Sequence, residues 1–379
     1  MNNFDTIVIG TGGVGSAACL HLAKRGLRVL GLDRFPGGHD RGSSHGETRI
    51  IRKAYFEHPD YVPLLARAYD LWRNLEVCQG AELYRECGLV AVGPPDGVIV
   101  PNVLNAAREH DLDVETIDEA EFASRFPALR LPEGQRAVFE REAGFLFVER
   151  SVLAHLDEAR KLGAELRSGV EVLGWEASGD GVLVRTSEGD FSAGSLVICA
   201  GAWSQQLLGE LGIPLRILRK HLHWFESDDS TSDSRGFPGF FYETSDGYFY
   251  GFPKIDELGL KVSEHSGGTE ITDPLNDERP LEPRDFRRVQ SFLREHIPSV
   301  SSRATRHDVC FYTSSPDDHF IIDRHPDHPN VVFAAGLSGH GFKMASVLGK
   351  VLAQLINHEE PELAIGFLSA SRFTNSGLP

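Results

Sequence analysis

Residues 4–9, FDTIVI, form a short apolar run that stops at Gly10, and the stretch SAACLHLAKRG that follows Gly15 has the composition and spacing of a helix. A second strand-like run, LRVLGLD, occupies 27–33. The chain thus begins strand, glycine turn, helix, strand, the alternation of a parallel α/β unit. A comparable passage starts near Arg150. There SVLAHLDEARKLGAEL reads as an amphipathic helix, and RSGVEVLGWEAS and GVLVRTSEGDFSAGSLVICAGAWS alternate like strands closed by turns. The tract SLVICAGAW reads as a buried strand running into Ala200-Gly201-Ala202. Small residues there let the backbone pack against a bound cofactor or against the first helix, and both remain open. Near the end, MASVLGKVLAQLI predicts a further amphipathic helix.

Between these passages the pattern changes. Residues 88–144 are rich in Pro, Val and turn residues, while 215–264 hold aromatic, strand-like runs, so a second domain is expected to be threaded through the first. In HLHWFESDDS (221–230) and RGFPGFFYETSDGYFYGFP (235–253) aromatics recur at a period near 2. Most of them are expected in a sheet core, with Tyr250 singled out for a cavity. No internal repeat, heptad or low-complexity run appears.

With 379 residues the chain has material for two or three domains. Lys plus Arg number 38 against 55 Asp plus Glu, and the formal charge of −17 argues against polyanion binding. Five cysteines, with no CxxC spacing, argue against structural zinc and a disulfide framework. No apolar run reaches the roughly 18 residues of a membrane span, and neither the start MNNFDTIVIGTGG nor the end TNSGLP carries an address signal. A cytoplasmic protein that binds neither nucleic acid nor membrane is expected.

Gly10, Gly12 and Gly15 stand as GxGxxG between strand and helix. Gly10 permits the turn, Gly12 lets the backbone approach a pyrophosphate, and Gly15 lets the helix lie against the strand with its first N–H groups facing the phosphates. Asp33 ends the second strand 18 residues after Gly15, where a carboxylate accepts hydrogen bonds from a ribose 2′-OH. The combination predicts a dinucleotide, and FAD and NAD share it.

Four separated strings narrow the choice: GSSHGETRIIRKAY (42–55), GFP followed by GLKVSEHSGG (251–268), VCFYTSSPDDHFIID (309–323) and GLSGHGFKMASVLG (336–349). Together, and in order over nearly the whole chain, they resemble the monomeric sarcosine oxidase and N-methyltryptophan oxidase group of amine-oxidising flavoproteins. The resemblance implies a D-amino-acid-oxidase-like α/β fold. A Rossmann-type FAD-binding domain (1–87, 145–214 and 306–379) would be interleaved with an α+β substrate domain (88–144 and 215–305) carrying a mostly antiparallel sheet. It also implies a monomer, FAD joined through its 8α-methyl group to a cysteine sulfur, and no metal.

Carried over residue by residue, the resemblance makes Cys310 the flavin-linked cysteine, a nucleophilic thiol being what that linkage needs. Cys19, Cys78, Cys87 and Cys199 are read as bystanders. Arg52 and Lys343 match the pair that holds the substrate carboxylate, by a guanidinium fork and a second cation. Lys261 matches a lysine on the far face of the flavin, where a fixed cation stabilises the anion formed as O2 accepts an electron. Tyr250 and His265 match residues lining the substrate side. The expected cofactor contacts are Gly10, Gly12, Gly13, Val14, Gly15, Asp33 and Arg34 around the first turn, and Ser43, His45, Thr48 and Arg49 in the loop after the second strand. Val170, Ala200, Gly201 and Trp203 follow in the middle, then Cys310, and last Gly336, Gly339, His340, Gly341, Phe342 and Lys343. A helix starting after Lys343 would aim its positive end at the flavin pyrimidine ring. Two positions depart from the family loop: Ser44 replaces a His and Glu47 an Asp, which alters the expected hydrogen bonding there.

The implied reaction takes a small secondary amine bearing a carboxylate, oxidises its C–N bond to an imine that water hydrolyses, and reduces O2 to H2O2. Alternatives are an enzyme acting on another amino acid or on a cyclic imino acid such as proline or pipecolate, an NAD-dependent amino acid dehydrogenase, and a flavin-binding protein without turnover. A protein that only held flavin has no need of Arg52, Lys343 and Lys261 together.

Overall fold

The structure is a computed structural model that describes residues 4–374; Met1–Asn3 and residues 375–379, parts of the two ends read above for address signals, lie outside the described residues. The opening strand, Phe4–Ile9, lies inside an eight-stranded sheet, parallel to Val29–Asp33 on one side and to Gly189–Ile198 on the other. Its last four residues are all buried, which is why it reads as a continuous apolar run instead of an alternating one. The helix Gly13–Ala23 is buried along its whole length because Ala345–Ile356 and Val148–Lys161 both pack on it. That accounts for the lack of a polar stripe in SAACLHLA.

A nine-stranded sheet forms the second layer system. Leu89–Gly93, Val114–Ile117 and Arg136–Glu140 come from the 88–144 segment, and the other six strands lie between Arg216 and Ser314. Its pairs are antiparallel except Leu89–Gly93 with Gly239–Thr244. The boundary expected at 306 falls inside Ala304–Ser314, which pairs with Arg216–Phe225 from end to end, so the strand carrying Cys310 belongs to this second sheet. Thr48–Ile51, Tyr84–Glu86 and Gly144–Phe147 make a small three-stranded sheet that joins the expected segments 1–87 and 145–214, with Gly144 alone lying one residue outside them.

The aromatic run divides by parity. Phe240, Tyr242 and Phe249 turn to the core beneath the helix Pro283–His296, where the Phe249 and Phe292 rings stack at 4.7 Å. Phe241, Tyr250 and Phe252 turn to the opposite face. Among the described residues no helix is long and apolar enough to cross a membrane.

Gly349 sits where the last long helix crosses the first: a Cβ there would lie 2.5 Å from backbone atoms of Ala17 and Ala18. Gly349→Val is expected to cost about 1–3 kcal/mol by overpacking, read as a lower unfolding midpoint in denaturant. An unchanged midpoint would show that the helices have room to separate.

Candidate functional site

One long cavity lies between the two sheets. Its inner end is built at the carboxyl ends of the parallel strands, at Ile9, Leu32 and Ala334–Ala335. Gly10, Gly12, Gly13, Val14, Asp33, Arg34, Ser43, Arg49, Val170, Ala200, Gly201 and Trp203 line it, together with Gly336 and the loop 339–343. Arg52, Glu57, Phe241, Tyr250 and His265 close the other end. Gly15, His45, Thr48, Lys261 and Cys310 lie outside this wall. Gly15 is there to let helix meet strand, since a Cβ on it would stand 1.8 Å from the Gly10 carbonyl oxygen.

The inner end is a backbone cradle. Gly10 has φ +84, and a Cβ on it would meet the Cys199 carbonyl oxygen at 2.4 Å. Asp33 accepts from Thr11 N–H (2.7 Å), from the Thr11 hydroxyl (3.3 Å) and from Phe35 N–H (2.9 Å), which leaves one lone-pair direction on Oδ1 for a ligand hydroxyl. Trp203 Nε1 and Thr313 Oγ1 are buried without partners, on residues that line the cavity. Glycine turn, spare carboxylate valence and orphaned donors all fit a dinucleotide. Ser44, one of the two departures, places its hydroxyl 3.1 Å from Gly13 N–H and accepts from it. Arg34 is ion-paired with Glu171.

The outer end is built from side chains. Arg52 is 3% exposed and lies between the rings of Tyr55 and Phe56, 4.4 and 4.2 Å from their centres. It donates to Ala54 O (2.9 Å) and to both oxygens of Glu57 (2.9 and 2.8 Å), leaving further N–H groups of its fork for another carboxylate. Lys343 donates to the His340 carbonyl at 2.8 Å, and its ammonium lies 5.2 Å from the centre of the Tyr55 ring, whose hydroxyl is 2.6 Å from His340 Nδ1. Burial, then the Arg52 charge, lowers the Lys343 ammonium to about 7. Burial works to raise Glu57, but Arg52, His340 and Lys343 hold it down at about 2.

Across the cavity stand Phe241, Tyr250 and His265. His265 Nδ1 is 3.3 Å from the Tyr312 hydroxyl, and burial, followed by the charge of Lys220, pushes its imidazole down to about 3. It is therefore neutral at ordinary pH. Lys261 is turned onto the 46–48 loop, donating to Gly46 O, Thr48 O (3.0 Å) and Thr48 Oγ1 (3.1 Å), beneath the rings of Trp224 and Phe252. Burial lowers its ammonium well below the ordinary lysine range. Arg49 donates to the carbonyls of Thr48 and Ser43, both at 2.9 Å, while Glu47 turns away to Trp224 Nε1 and Arg306, both at 2.8 Å. Cys310 is fully buried with Leu222, Trp224 and Tyr312. His45 is buried with Nε2 unpartnered, and burial and Arg49 hold it at about 3.

Sequence reasoning missed Glu57, Tyr55, Phe241 and Tyr312. The signal for Glu57 was present: an acid five residues beyond Arg52 and between two aromatic positions. Phe241 was hidden by the period-2 aromatic run, in which core and cavity faces look alike.

The family of FAD-dependent oxidoreductases matches residues 5–355. The chain belongs to this family. This FAD-dependent oxidoreductase is 40% identical over 375 residues, 98% of its length and 96% of the relative's, to the monomeric sarcosine oxidase of Bacillus sp. (strain B-0618). It is 37% identical over 374 residues, 98% and 100% of the two chains, to the N-methyl-L-tryptophan oxidase of Yersinia pestis (strain Pestoides F). Among solved structures, the L-proline dehydrogenase of P. horikoshii shares the fold over the full length of both chains, with a TM-score of 0.85 at 23% identity. FAD is thus the dinucleotide that the glycine turn alone left undecided.

Because burial lowers Lys343 to about 7, its ammonium is present below that pH and lost above it. Binding of acetate to the holoenzyme, followed by flavin absorbance, is expected to weaken above pH 7 by at most about tenfold per pH unit, with proton uptake on binding. A flat profile from about pH 6 to about pH 9 would remove Lys343 from carboxylate recognition.

Proposed function

We propose that the protein is an oxidase of small secondary amines carrying a carboxylate, N-methyl amino acids such as sarcosine or N-methyltryptophan. The carrying observation is the pairing of two buried cations, Arg52 and Lys343, at one end of the cavity with the wall of Phe241, Tyr250 and His265 facing them. Arg52 and Lys343 grip the substrate carboxylate from two directions and so fix the position of the neighbouring C–N bond. Neutral His265 and Tyr250 line the amine end. The amine is bound neutral, as oxidation of its C–N bond requires, and unprotonated His265, with Nδ1 toward Tyr312, has its Nε2 left for the substrate. The aromatic rings limit water around the reacting carbon. When bound, FAD would supply the two-electron acceptor for C–N oxidation, with O2 as the final oxidant and H2O2 as its product. The imine product is hydrolysed by water.

FAD attachment through Cys310 belongs to the same proposal. Cys310 is fully buried with Leu222, Trp224 and Tyr312, and its chain neighbours Phe311, Tyr312 and Thr313 line the cavity, so the thiol lies just behind that wall. Lys261 lies behind the wall on the Gly46–Thr48 loop, and although burial disfavours its ammonium, an oxygen anion formed at the cavity favours that charged form and is stabilised by it. The protein is proposed to act as a cytoplasmic monomer.

H2O2 release is the direct test, over sarcosine, N-methyltryptophan, N-methylalanine, proline and pipecolate. Activity on an N-methyl amino acid supports the assignment, and activity on none of the five, with flavin present, rejects it. Arg52→Met is expected to raise KM by about tenfold to a hundredfold through loss of a charge-assisted contact. Acid-precipitated wild-type protein should hold yellow colour in the pellet, and Cys310→Ser should release it to the supernatant. A colourless wild-type pellet rejects the covalent bond.

A further inference from the structure

Lys220 is a buried lysine, 4% exposed, on the strand Arg216–Phe225, directly opposite Cys310 in the pairing with Ala304–Ser314. The parity of that strand separates two environments. Arg219 pairs with Asp277 at 2.6 Å and His221 stands 3.3 Å from Asp285, on the side of the helix Pro283–His296. Leu218, Lys220, Leu222 and Trp224 share the face of Cys310 and Tyr312.

The Lys220 ammonium donates to the carbonyls of Ser266 (2.6 Å) and Gly267 (3.1 Å) and lies 5.3 Å from the centre of the Tyr312 ring. The turn it holds closes tightly over its stem: a Cβ on Gly268, φ +111, would meet Lys220 Cδ at 2.9 Å. The same turn is tied on its other side to Tyr248, which accepts from His265 N–H (2.7 Å) and donates to Ser266 Oγ (3.0 Å). His265 therefore hangs between a strand and a buried cation. An apolar side chain of similar length would fill the space without the cost of burying a charge, so packing alone does not call for a lysine.

We propose that Lys220 is a positioning residue for the amine end of the site: by holding the Ser266 and Gly267 carbonyls and covering the Tyr312 ring, it fixes His265 and Tyr312 against the cavity. The proposal rests on the amine-oxidase assignment and adds to it a residue that does not itself reach the cavity wall. The groups facing the ammonium are Glu264 on the neighbouring strand, Asp285 and Arg288 on the helix, Cys310 and Tyr312 on the paired strand, and His265 on the turn, with Arg219 and His221 beside it in sequence. Burial lowers the ammonium to about 8, with Glu264, Cys310 and Asp285 opposing that shift. The charged form is present below that pH, so the hold on the turn weakens as pH rises through it.

The test compares the holoenzymes of wild type, Lys220→Met, Lys220→Gln and Lys220→Arg. Lys220→Met and Lys220→Gln are expected to raise KM for the amine by about tenfold while leaving acetate affinity within about twofold, because the carboxylate end is untouched. Beyond the limb near pH 7 that Lys343 gives to wild type and variants alike, the wild-type kcat/KM profile should show a second basic limb near pH 8. Lys220→Arg should restore KM and abolish that limb, since a guanidinium does not titrate there. Amine and acetate affinities falling together, or Lys220→Met keeping the wild-type KM and pH profile, would overturn the proposal. If wild type oxidises no amine, the functional assignment fails first. Lys220 is then judged on ligand binding alone, by whether Lys220→Gln weakens N,N-dimethylglycine but not acetate in flavin-absorbance titrations.

Discussion

A cation is tolerated inside a protein only where its N–H groups are used up and its charge is shared. This chain meets that constraint several times around one cavity. Arg52, Lys220, Lys261 and Lys343 are all buried, and each spends donors on backbone carbonyls: Ala54, Ser266 with Gly267, Gly46 with Thr48, and His340. The dependence runs both ways. A carbonyl that feeds a buried ammonium fixes its loop, and those loops carry the cavity's walls. The loop behind Lys261 bears Arg49, the turn behind Lys220 bears His265, and the loop that feeds Lys343 is the last glycine loop itself.

The two ends of the cavity offer different chemistry, and each suits a different kind of ligand. A pyrophosphate is long and diffuse, and backbone N–H groups at a helix start meet it without any buried side-chain charge. That solution needs close approach, hence the glycines at 10 and 15. A single carboxylate is compact, and fork and ammonium suit it. Two sheets are needed to provide both ends. The parallel sheet presents its carboxyl edge to the dinucleotide, and the antiparallel sheet brings Phe241, Tyr250 and Tyr312 to the other side, with Cys310 at the seam.

What was legible in the sequence was what is local. The strand, turn and helix around Gly10–Gly15 depend on residues adjacent in the chain; the apolar run at 4–9 is a strand, and the tract read as helix from 151 to 166 is helical to Lys161, its last residues entering the strand Glu165–Ser168. The pairing of the Cys310 strand with the second sheet was not legible because its partner lies some ninety residues away, and register across such a distance leaves no local mark. The loop departures became intelligible only in three dimensions. Ser44 takes the Gly13 N–H, and Glu47 serves Trp224 and Arg306. Lys220 looked like any strand lysine, since the carbonyls that hold it come from a turn that sequence alone does not place beside it.

The charge of −17 and the cationic site are compatible because they act over different ranges. Surface charges are screened beyond about 8 Å at physiological ionic strength, so the acidic exterior governs solubility and remote encounters. Inside, where screening is weak, the local sum decides. With Lys343 protonated, Arg52 and Lys343 bring two positive charges to the outer end and Glu57 returns one negative, so one further carboxylate brings that group to neutrality. A second carboxylate on the ligand would overshoot that balance in a wall that otherwise offers rings and a neutral imidazole. The buried charges thus favour a ligand with one carboxylate, and the aromatic wall opposite leaves its amine end in largely apolar surroundings.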